Sequence, residues 1–155
     1  MYYDYLETKM GPLLLAGNEK GLYYIEFQHG KRPVNIEADW QHNGATLKEA
    51  KRQLQAYLQG DLSHFDLPLQ LRGTDFQKQV WQALQSIPYG ETISYQSLAQ
   101  HIGRPKAMRA VGSANGKNSL CIVIPCHRVI GSNGSLTGYA GGVEIKRWLL
   151  QHEQA

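Results

Sequence analysis

Residues 94–115 read SYQSLAQHIGRPKAMRAVGSAN, and their apolar residues recur at helical spacing on both sides of a turn. Ser94 can cap the first helix, because its side chain can accept a hydrogen bond from a free backbone amide of the first turn. Residues 103–105 then turn the chain into a second helix, predicted over residues 106 to about 115. A helix, a short turn with a glycine and a second helix form the outline of a helix-turn-helix motif. We therefore expect the C-terminal half to be mostly helical.

Capping and turn residues define the elements on either side of this motif. Thr74 and Gln77 form a capping-box pattern at the start of a preceding helix, which residues 88–90 end. Downstream of the motif, the glycines and asparagine of residues 131–134 predict a tight turn. A glycine pair at residues 141–142 leads into a last amphipathic helix.

The N-terminal third alternates apolar and polar residues, which is typical of strands. The predicted strands are residues 2–6, 13–16 and 22–27. Thr46 and Glu49 form another capping-box pattern, and the helix that follows is expected to end at Gly60. This region is predicted to form a small hairpin-rich sheet with one helix.

The connection between the two halves differs in composition from both. Residues 61–72 contain Pro68 and show little periodicity, so we place a boundary near their end. This gives an N-terminal domain over residues 1–70 and a C-terminal domain over residues 71–155. The first carries seven Lys and Arg against nine Asp and Glu, and the second nine against four. The C-terminal half is therefore the basic half, although the whole chain has a net charge of only +3.

Between Glu91 and Glu144 the chain has no acidic side chain. The Lys and Arg residues of this acid-free interval, residues 92–143, are Arg104, Lys106, Arg109, Lys117 and Arg128. This distribution predicts a surface that faces an anionic partner.

Cys126 is a candidate nucleophile. It follows residues 120–125, an apolar run that ends in a proline, and precedes His127 and Arg128. The thiolate is the reactive form of cysteine, and a neighbouring base or positive charge promotes its formation. Both following residues could serve in this way. Cys121, by contrast, lies inside the apolar run and is interpreted as a small buried hydrophobic residue.

The two cysteines also restrict the cellular setting. Two are too few for a disulfide framework, and their spacing matches neither a CxxC redox pair nor a paired zinc-ligand pattern. The first ten residues lack a basic stretch followed by an apolar run and so do not read as a secretory signal. No apolar stretch approaches the roughly 20 residues needed to cross a bilayer. We expect a cytoplasmic protein without membrane contact, in which a free thiol can stay reactive.

The stretch IPCHRV, Ile124–Val129, resembles the active-site signature of the methylated-DNA-protein-cysteine methyltransferases, also called O6-alkylguanine-DNA alkyltransferases. The resemblance covers residues 72–155, with further motifs in order at Ile93–Gln96, Arg109–Gly112, Asn118, Gly138–Gly142, Lys146, Trp148–Leu150 and Glu153. The N-terminal part resembles the family only in layout. The implied fold is α/β in the α+β arrangement: a small antiparallel sheet with a helix in a ribonuclease H-like layout, then a mostly helical winged helix-turn-helix domain that binds DNA and holds the active site.

The resemblance implies that Cys126 irreversibly accepts an alkyl group from an O6-alkylated guanine, with alkylated thymine left open as a second substrate. His127 would draw the thiol proton through a water, and Glu153 would hold that imidazole in the right tautomer. Asn118 would order this network and the nearby backbone. Tyr95 would donate to the departing guanine, whose developing charge needs a donor. A thioether has no easy route back to a thiol, so one turnover per molecule and no cofactor are expected.

The resemblance also implies a base pocket that receives a flipped nucleotide, at a cost of a few kcal/mol. Tyr139 and Ala140 would border this pocket. Backbone groups of Cys126 and Val129 would hydrogen-bond the base, while Arg109 would fill the vacated stack.

The implied partner is double-stranded DNA with an alkylated guanine, contacted through the minor groove. Ala107 and Ala110 are small enough to let the second helix of the motif lie close to the DNA. With Arg128 and four other basic residues near this face, the affinity should fall as salt rises. A lesion on one strand demands no symmetry, so a monomer is expected. Some relatives bind zinc through N-terminal cysteines, but residues 1–70 contain none, and no metal is expected.

Three other functions remain open at this point. Alkyltransferase-like proteins recognise the lesion without repairing it, but they lack the acceptor cysteine. A cysteine hydrolase built on Cys126 and His127 would turn over many times and would not need the acid-free interval. A helix-turn-helix regulator would bind specific sequences through the major groove, usually as a dimer, and would not need a thiol beside its reading helix.

Overall fold

The computed structural model describes residues 1–155 and consists of a small sheet followed by a group of helices. The strands of this sheet are β1 Tyr2–Thr8, β2 Gly11–Asn18, β3 Gly21–Phe27 and β4 Gln41–His42. They lie in the order β3-β2-β1-β4, with antiparallel pairing among the first three and β4 parallel to β1. Gly11 and Gly21 adopt positive φ angles at the two hairpin turns, where other residues would be strained. The three strands predicted from alternation are confirmed, but β2 spans eight residues where four were predicted, and β1 and β3 are two and one residues longer than expected.

The start of the first helix differs from the prediction. Helix α1 spans Lys48–Leu58, and no side chain caps its N-terminus. The capping box predicted from Thr46 and Glu49 is therefore wrong. The side chain of Asn43 accepts a hydrogen bond from the Thr46 amide at 3.4 Å, so Thr46 belongs to the turn before the helix and does not cap it.

Strand β3 links the two halves of the chain. Leu22 forms a parallel bridge with Leu69 in the connecting segment, and Ile25 forms another with Leu120. The Cys121 amide donates to the carbonyl of Ile25 at 2.9 Å. A single cluster of 26 buried residues includes members of both halves. The halves therefore share a core, and the domain boundary inferred from the sequence stays a prediction.

The second half contains four helices and two short strands that pair in parallel. These are α2 Asp75–Leu84, β5 Ile93–Ser94, α3 Tyr95–His101, α4 Met108–Gly116, β6 Val129–Ile130 and α5 Val143–Gln154. The capping box of Thr74 and Gln77 and the cap by Ser94 are confirmed as side-chain hydrogen bonds. Helix α4 begins two residues later than predicted, because Lys106 still lies in the preceding turn.

The expected fold class is confirmed: the protein is mixed α/β, with a small sheet and helix followed by a mostly helical half. Helices α3 and α4 form the helix-turn-helix and both pack against α2. The indole of Trp81 on α2 donates to the carbonyl of Ala114 on α4 at 2.8 Å, which fixes one side of the motif. None of the helices is long and apolar enough to cross a bilayer.

Candidate active site

A buried turn delivers Cys126 to the end of the apolar run. The side chain of Asn118 accepts a hydrogen bond from the Leu120 amide at 2.9 Å and donates one to the Ile124 carbonyl at 2.8 Å. Ile122, inside this turn, has a φ of 74° and is the single non-glycine residue with a positive φ. A β-branched residue is strained in that conformation, so the surrounding contacts must hold the turn. Asn118 therefore lies where it orders the backbone that precedes Cys126.

The thiol of Cys126 is buried, with only 2% of the residue exposed. The Cys126 carbonyl accepts a hydrogen bond from the side chain of Asn115 at 3.3 Å. The neighbouring Cys121 thiol lowers the pKa of Cys126, against the opposing effect of burial. Asn118 and the positive charge of Lys146 lower this pKa further. The net effect favours the thiolate, the form that attacks carbon.

His127 is fully buried and uses one ring nitrogen as a donor. Its Nε2 lies 2.6 Å from Oε2 of Glu153. Since a carboxylate can only accept, we assign the proton to Nε2, which leaves Nδ1 as the basic nitrogen. Nδ1 is buried and has no protein partner. Burial lowers the pKa of His127, although Glu153 opposes this, and the ring is therefore a neutral base.

Glu153 is the centre of a buried hydrogen-bond network. Besides His127, it accepts from Nε of Arg128 at 2.8 Å, from the Tyr57 hydroxyl at 2.6 Å and from the Gly90 amide at 3.1 Å. Burial alone would raise the pKa of Glu153, but the hydrogen bonds from His127, Arg128 and Tyr57 together hold it well below its usual range. The carboxylate is therefore ionised and fixes the imidazole orientation. Tyr57 comes from α1, so the N-terminal half contributes to this network.

Lys146 of α5 is a second buried charge near the thiol. Its Nζ donates to the carbonyls of Val129 at 2.6 Å and Thr137 at 2.8 Å, and lies 3.5 Å from the Tyr95 hydroxyl. Burial lowers the pKa of Lys146 to about 8, and the negative charge of Cys126 opposes that shift. The ammonium therefore ties the segment around Thr137 to the strand that follows Cys126.

A cleft of about 500 Å³ opens beside Tyr95, between the helix-turn-helix and residues 131–138. The Tyr95 hydroxyl donates to the Thr137 carbonyl at 2.9 Å. A Cβ atom at Gly138, whose φ is +70°, would stand 3.1 Å from that hydroxyl, and one at Gly112 would contact the Tyr95 ring at 3.7 Å. The two glycines therefore keep the cleft open next to Tyr95.

Known protein families match both halves of the chain. The family model described as 6-O-methylguanine DNA methyltransferase, ribonuclease-like domain, matches residues 1–71. The model described as 6-O-methylguanine DNA methyltransferase, DNA binding domain, matches residues 75–155. The chain belongs to the 6-O-methylguanine DNA methyltransferase family. The resemblance read from the motifs is thus confirmed, and the match extends over the N-terminal half as well.

Individual relatives of this methyltransferase family are similar along their whole length. The methylated-DNA–protein-cysteine methyltransferase of Methanosarcina barkeri is 57% identical over 154 residues, covering 99% of this chain and 98% of the relative. The constitutive enzyme of that name from Bacillus subtilis is 46% identical over 157 residues, covering 99% and 95%. Among solved structures, Mycobacterium tuberculosis OGT in complex with DNA superposes with a TM-score of 0.92 at 46% identity, covering 99% and 93%.

In this family member, the residues expected to contact DNA lie on the accessible side of α4. Arg109 and Ala110 are exposed and Ala107 is half-buried at the start of the helix. Met108, 45% exposed, is the large apolar side chain most open to solvent and lines the cleft. No other part of the fold covers this face of α4. The contacts that these residues are expected to make with DNA stay predictions.

The residues expected to form the base pocket are more enclosed. Val129 is fully buried, and its carbonyl already accepts from Lys146. Tyr139 and Ala140 are buried as well, and the Tyr139 hydroxyl makes no hydrogen bond of good geometry. The contacts expected of these residues with a base stay predictions.

The prediction for Arg128 is wrong. The sequence placed it among the residues that face DNA and also offered it as an aid to the thiol. Its side chain is instead buried, with Nε and Nη2 bonded to Glu153 and Nη1 donating to the Ile87 carbonyl at 2.6 Å. Because one carboxylate can accept two parallel guanidinium bonds, Arg128 is committed to holding Glu153. The exposed basic face therefore contains Arg104, Lys106, Arg109 and Lys117 but not Arg128.

Two members of the site, Lys146 and Tyr57, were not assigned a role from the sequence. Lys146 and Glu153 are seven residues apart on α5, with the buried Leu149 between them on the same face. This spacing was a usable signal, since two charges on an apolar helix face need partners. Tyr57 offered no such signal, because an aromatic residue on the apolar face of α1 is normally a core residue.

Proposed function

We propose that this protein repairs alkylated DNA by transferring the alkyl group from O6 of guanine to the sulfur of Cys126, once per molecule. The observation that carries the proposal is the pairing of a buried thiol of lowered pKa with a neutral His127 whose free Nδ1 can take a proton. The names of the relatives and the DNA complex of the Mycobacterium tuberculosis structure support the substrate class.

The proposed transfer balances with the residues of this chain. The sulfur of Cys126 attacks the alkyl carbon, a sulfur–carbon bond forms and the bond from that carbon to guanine O6 breaks. His127 takes the thiol proton, through a water, and Glu153 stabilises the imidazolium that forms. Guanine leaves with the electron pair of the broken bond and takes up one proton. No co-reactant is needed, and the thioether product ends the reaction.

Tyr95 is the proposed donor to the departing guanine. Its hydroxyl is bound to the Thr137 carbonyl, so it must exchange that acceptor for the guanine as the base enters. A donor that meets charge as it develops lowers the barrier more than one that binds the substrate and transition state equally. Tyr139 and Ala140 would border the base, and Val129 would bind it through its backbone.

The proposed DNA contact uses the exposed face of α4 in the minor groove. Ala107 and Ala110 allow close approach, and Arg109 fills the space left by the flipped nucleotide. Exposed basic side chains nearby would contact phosphates. We propose that the protein acts as a monomer in the cytoplasm, where its thiols stay reduced.

Intact-protein mass spectrometry tests this function. The protein is incubated with a duplex that holds one O6-methylguanine, beside an unmodified duplex and a Cys126→Ala variant that keeps Cys121. We expect a gain of one methylene group per chain, stopping at one and locating to Cys126 by fragmentation of the peptide. Continued product release beyond one per chain would indicate a hydrolase. Tight binding to the lesion without a mass gain would indicate a lesion sensor.

A further inference from the structure

One oxygen of Glu153 accepts hydrogen bonds from both halves of the chain. The Tyr57 hydroxyl of α1 and Nε2 of His127 each lie 2.6 Å from Oε2. Nη2 of Arg128 lies 3.2 Å from the same oxygen, while Oε1 accepts from Nε of Arg128 at 2.8 Å and from the Gly90 amide at 3.1 Å. A carboxylate offers about four lone-pair positions. The donors therefore share them, and a bond to one donor leaves less negative charge for the others.

Tyr57 holds its hydroxyl at this oxygen through contacts that do not involve the hydroxyl. The residue is fully buried. Its ring packs against those of Phe65, Tyr89 and His152, with centroids 5.5, 6.1 and 5.3 Å away. Its backbone carbonyl lies 2.6 Å from Nε2 of His152. A phenylalanine could make all of these contacts, so the hydroxyl is not needed for packing and its effect is exerted on Glu153.

The sharing of Oε2 affects how readily His127 takes a proton. Protonation at Nδ1 turns the ring into an imidazolium, whose stability depends on the negative charge that Glu153 presents to the Nε2 proton. The Tyr57 hydroxyl draws part of that charge to itself. The hydroxyl therefore acts in the same direction as burial and keeps the ring neutral, which is the form that can accept the thiol proton.

We propose that Tyr57 is a positioning residue through which the N-terminal half sets the basicity of His127. Its hydroxyl limits the hold of Glu153 on the imidazole. The inference rests on His127 being the base in the alkyl transfer proposed above. It gives the N-terminal half, which holds none of the reacting groups, a direct influence on the chemistry.

The other ionisable groups around this network keep their contacts when the Tyr57 hydroxyl is removed. Burial lowers the pKa of His127, Glu153 raises it, and the charges of Arg128 and Lys146 lower it. Arg128 retains both of its bonds to Glu153, so the carboxylate stays ionised. The ionisable groups that surround His127 and Glu153 are Cys126 and Arg128 of the same turn, Lys146 and His152 of α5, Tyr89 before β5 and Tyr57 of α1.

Nuclear magnetic resonance of the histidine rings tests the proposal without DNA. Tyr57→Phe removes the hydroxyl and keeps the ring and backbone contacts. Tyr89→Phe is the matched control, because it removes a hydroxyl from the adjacent ring that does not bond to Glu153. The histidines are labelled with nitrogen-15, and a His127→Gln variant assigns the His127 signals. The Nε2 proton reports the bond to Glu153 at every pH, and the ring nitrogens report protonation from pH 4 to pH 9.

In Tyr57→Phe we expect the Nε2 proton of His127 to move to lower field, because Glu153 then bonds more strongly to the ring. The midpoint of the His127 titration should rise by about one pH unit. Methyl transfer from an O6-methylguanine duplex should slow by up to about tenfold below that midpoint and reach the wild-type rate at high pH, since a protonated ring cannot take the thiol proton. Tyr89→Phe should match the wild type in all three measurements.

An unchanged Nε2 proton and an unchanged titration in Tyr57→Phe would overturn the proposal, even if the variant were less stable. An equal change in Tyr89→Phe would overturn it as well. Methyl transfer to the wild type separates this outcome from the proposed function. Transfer in the wild type with no change at His127 in the variant would refute the role of Tyr57 alone. Changed His127 signals in a protein that accepts no methyl group would refute the proposed function and retain the influence of Tyr57 on the ring.

Discussion

The N-terminal sheet and the turn around Cys126 bury very different side chains. The buried centre of β2 is the apolar stretch Leu13–Ala16. The turn and the facing helix α5 bury His127, Arg128, Lys146 and Glu153. Buried charges are destabilising unless they are paired and hydrogen-bonded, and each of these has specific partners. The sheet therefore stabilises the fold, whereas the turn accepts a cost in stability to assemble a reactive thiol.

Two buried glutamates show the same contrast at the level of single groups. Hydrogen bonds from His127, Arg128 and Tyr57 outweigh burial at Glu153 and hold its pKa well below the usual range. Glu26 has only the weak thiol donor of Cys121, at 3.8 Å, and burial raises its pKa to about 8. One carboxyl is therefore a fixed anion that orients a base, and the other is neutral at physiological pH. Burial alone does not determine the charge of a side chain, because the hydrogen-bond donors around it decide which form is stable.

The largest effect is expected from Glu153→Gln, which tests how strongly the buried hydrogen-bond network supports both stability and alkyl transfer. The variant leaves Arg128 as an uncompensated buried charge, which should lower the free energy of unfolding by about 4 kcal/mol. Methyl transfer per folded molecule should slow by about a hundredfold, because the imidazole loses its orienting anion. Urea denaturation and single-turnover rates measure the two effects. In the control Glu49→Gln, which breaks the exposed pair with Arg52, neither quantity should change measurably.

Leu54→Ala should lower the free energy of unfolding without changing the rate of alkyl transfer. Leu54 is fully buried on α1 in the core shared with the sheet. Removal of its side chain should cost about 3 kcal/mol, from lost transfer energy and the cavity left behind. The transfer rate per folded molecule should stay at the wild-type value, since Leu54 touches none of the reacting groups. A drop in this rate at a temperature where the variant is fully folded would show that the two regions are not separate.

Asp4→Asn tests the electrostatics of the sheet region. Burial alone would raise the pKa of Asp4, but hydrogen bonds from Lys51, His42 and the Tyr5 amide lower it from 3.8 to about 2. A depressed pKa contributes stability that is present above the unfolded value and is lost as the pH falls through the folded value. The variant should therefore be less stable than the wild type by about 1 to 2 kcal/mol above pH 5. Denaturation at several pH values should show the difference vanishing near pH 2, and a constant difference would contradict the assignment.

The smallest effect concerns the two capping boxes predicted from the sequence. Thr74 caps α2, and Thr74→Ala should lower the free energy of unfolding by about 1 kcal/mol. Thr46 lies in a turn and caps nothing, so Thr46→Ala serves as the matched control and should be nearly neutral. Equal losses in the two variants, measured by urea denaturation, would show that the contrast between the two helix starts is wrong.

The two capping boxes also show when neighbouring residues along the chain are enough to predict how a helix begins. The Thr74 and Gln77 pattern was correct because both partners lie within one turn and nothing else competes for them. The Thr46 and Glu49 pattern failed because Asn43 organises the preceding turn and Glu49 pairs with Arg52. Arg128 failed for a related reason: a charge pattern along the chain does not reveal which basic residue has a buried partner far away in sequence.

The sequence by itself determined the strands, the helix-turn-helix and the identity of Cys126, His127 and Glu153 as the residues to examine. The strands and the helix-turn-helix follow from local periodicity and capping, and Cys126 with His127 from a compact motif, all of which depend on neighbours along the chain. Glu153 followed only from the resemblance to the family. Only the tertiary structure decided that Glu153 is charged and that Glu26 is mostly protonated at neutral pH. The physical reason is that the protonation of a buried group depends on burial and on donors from distant segments, which meet only when the chain is folded.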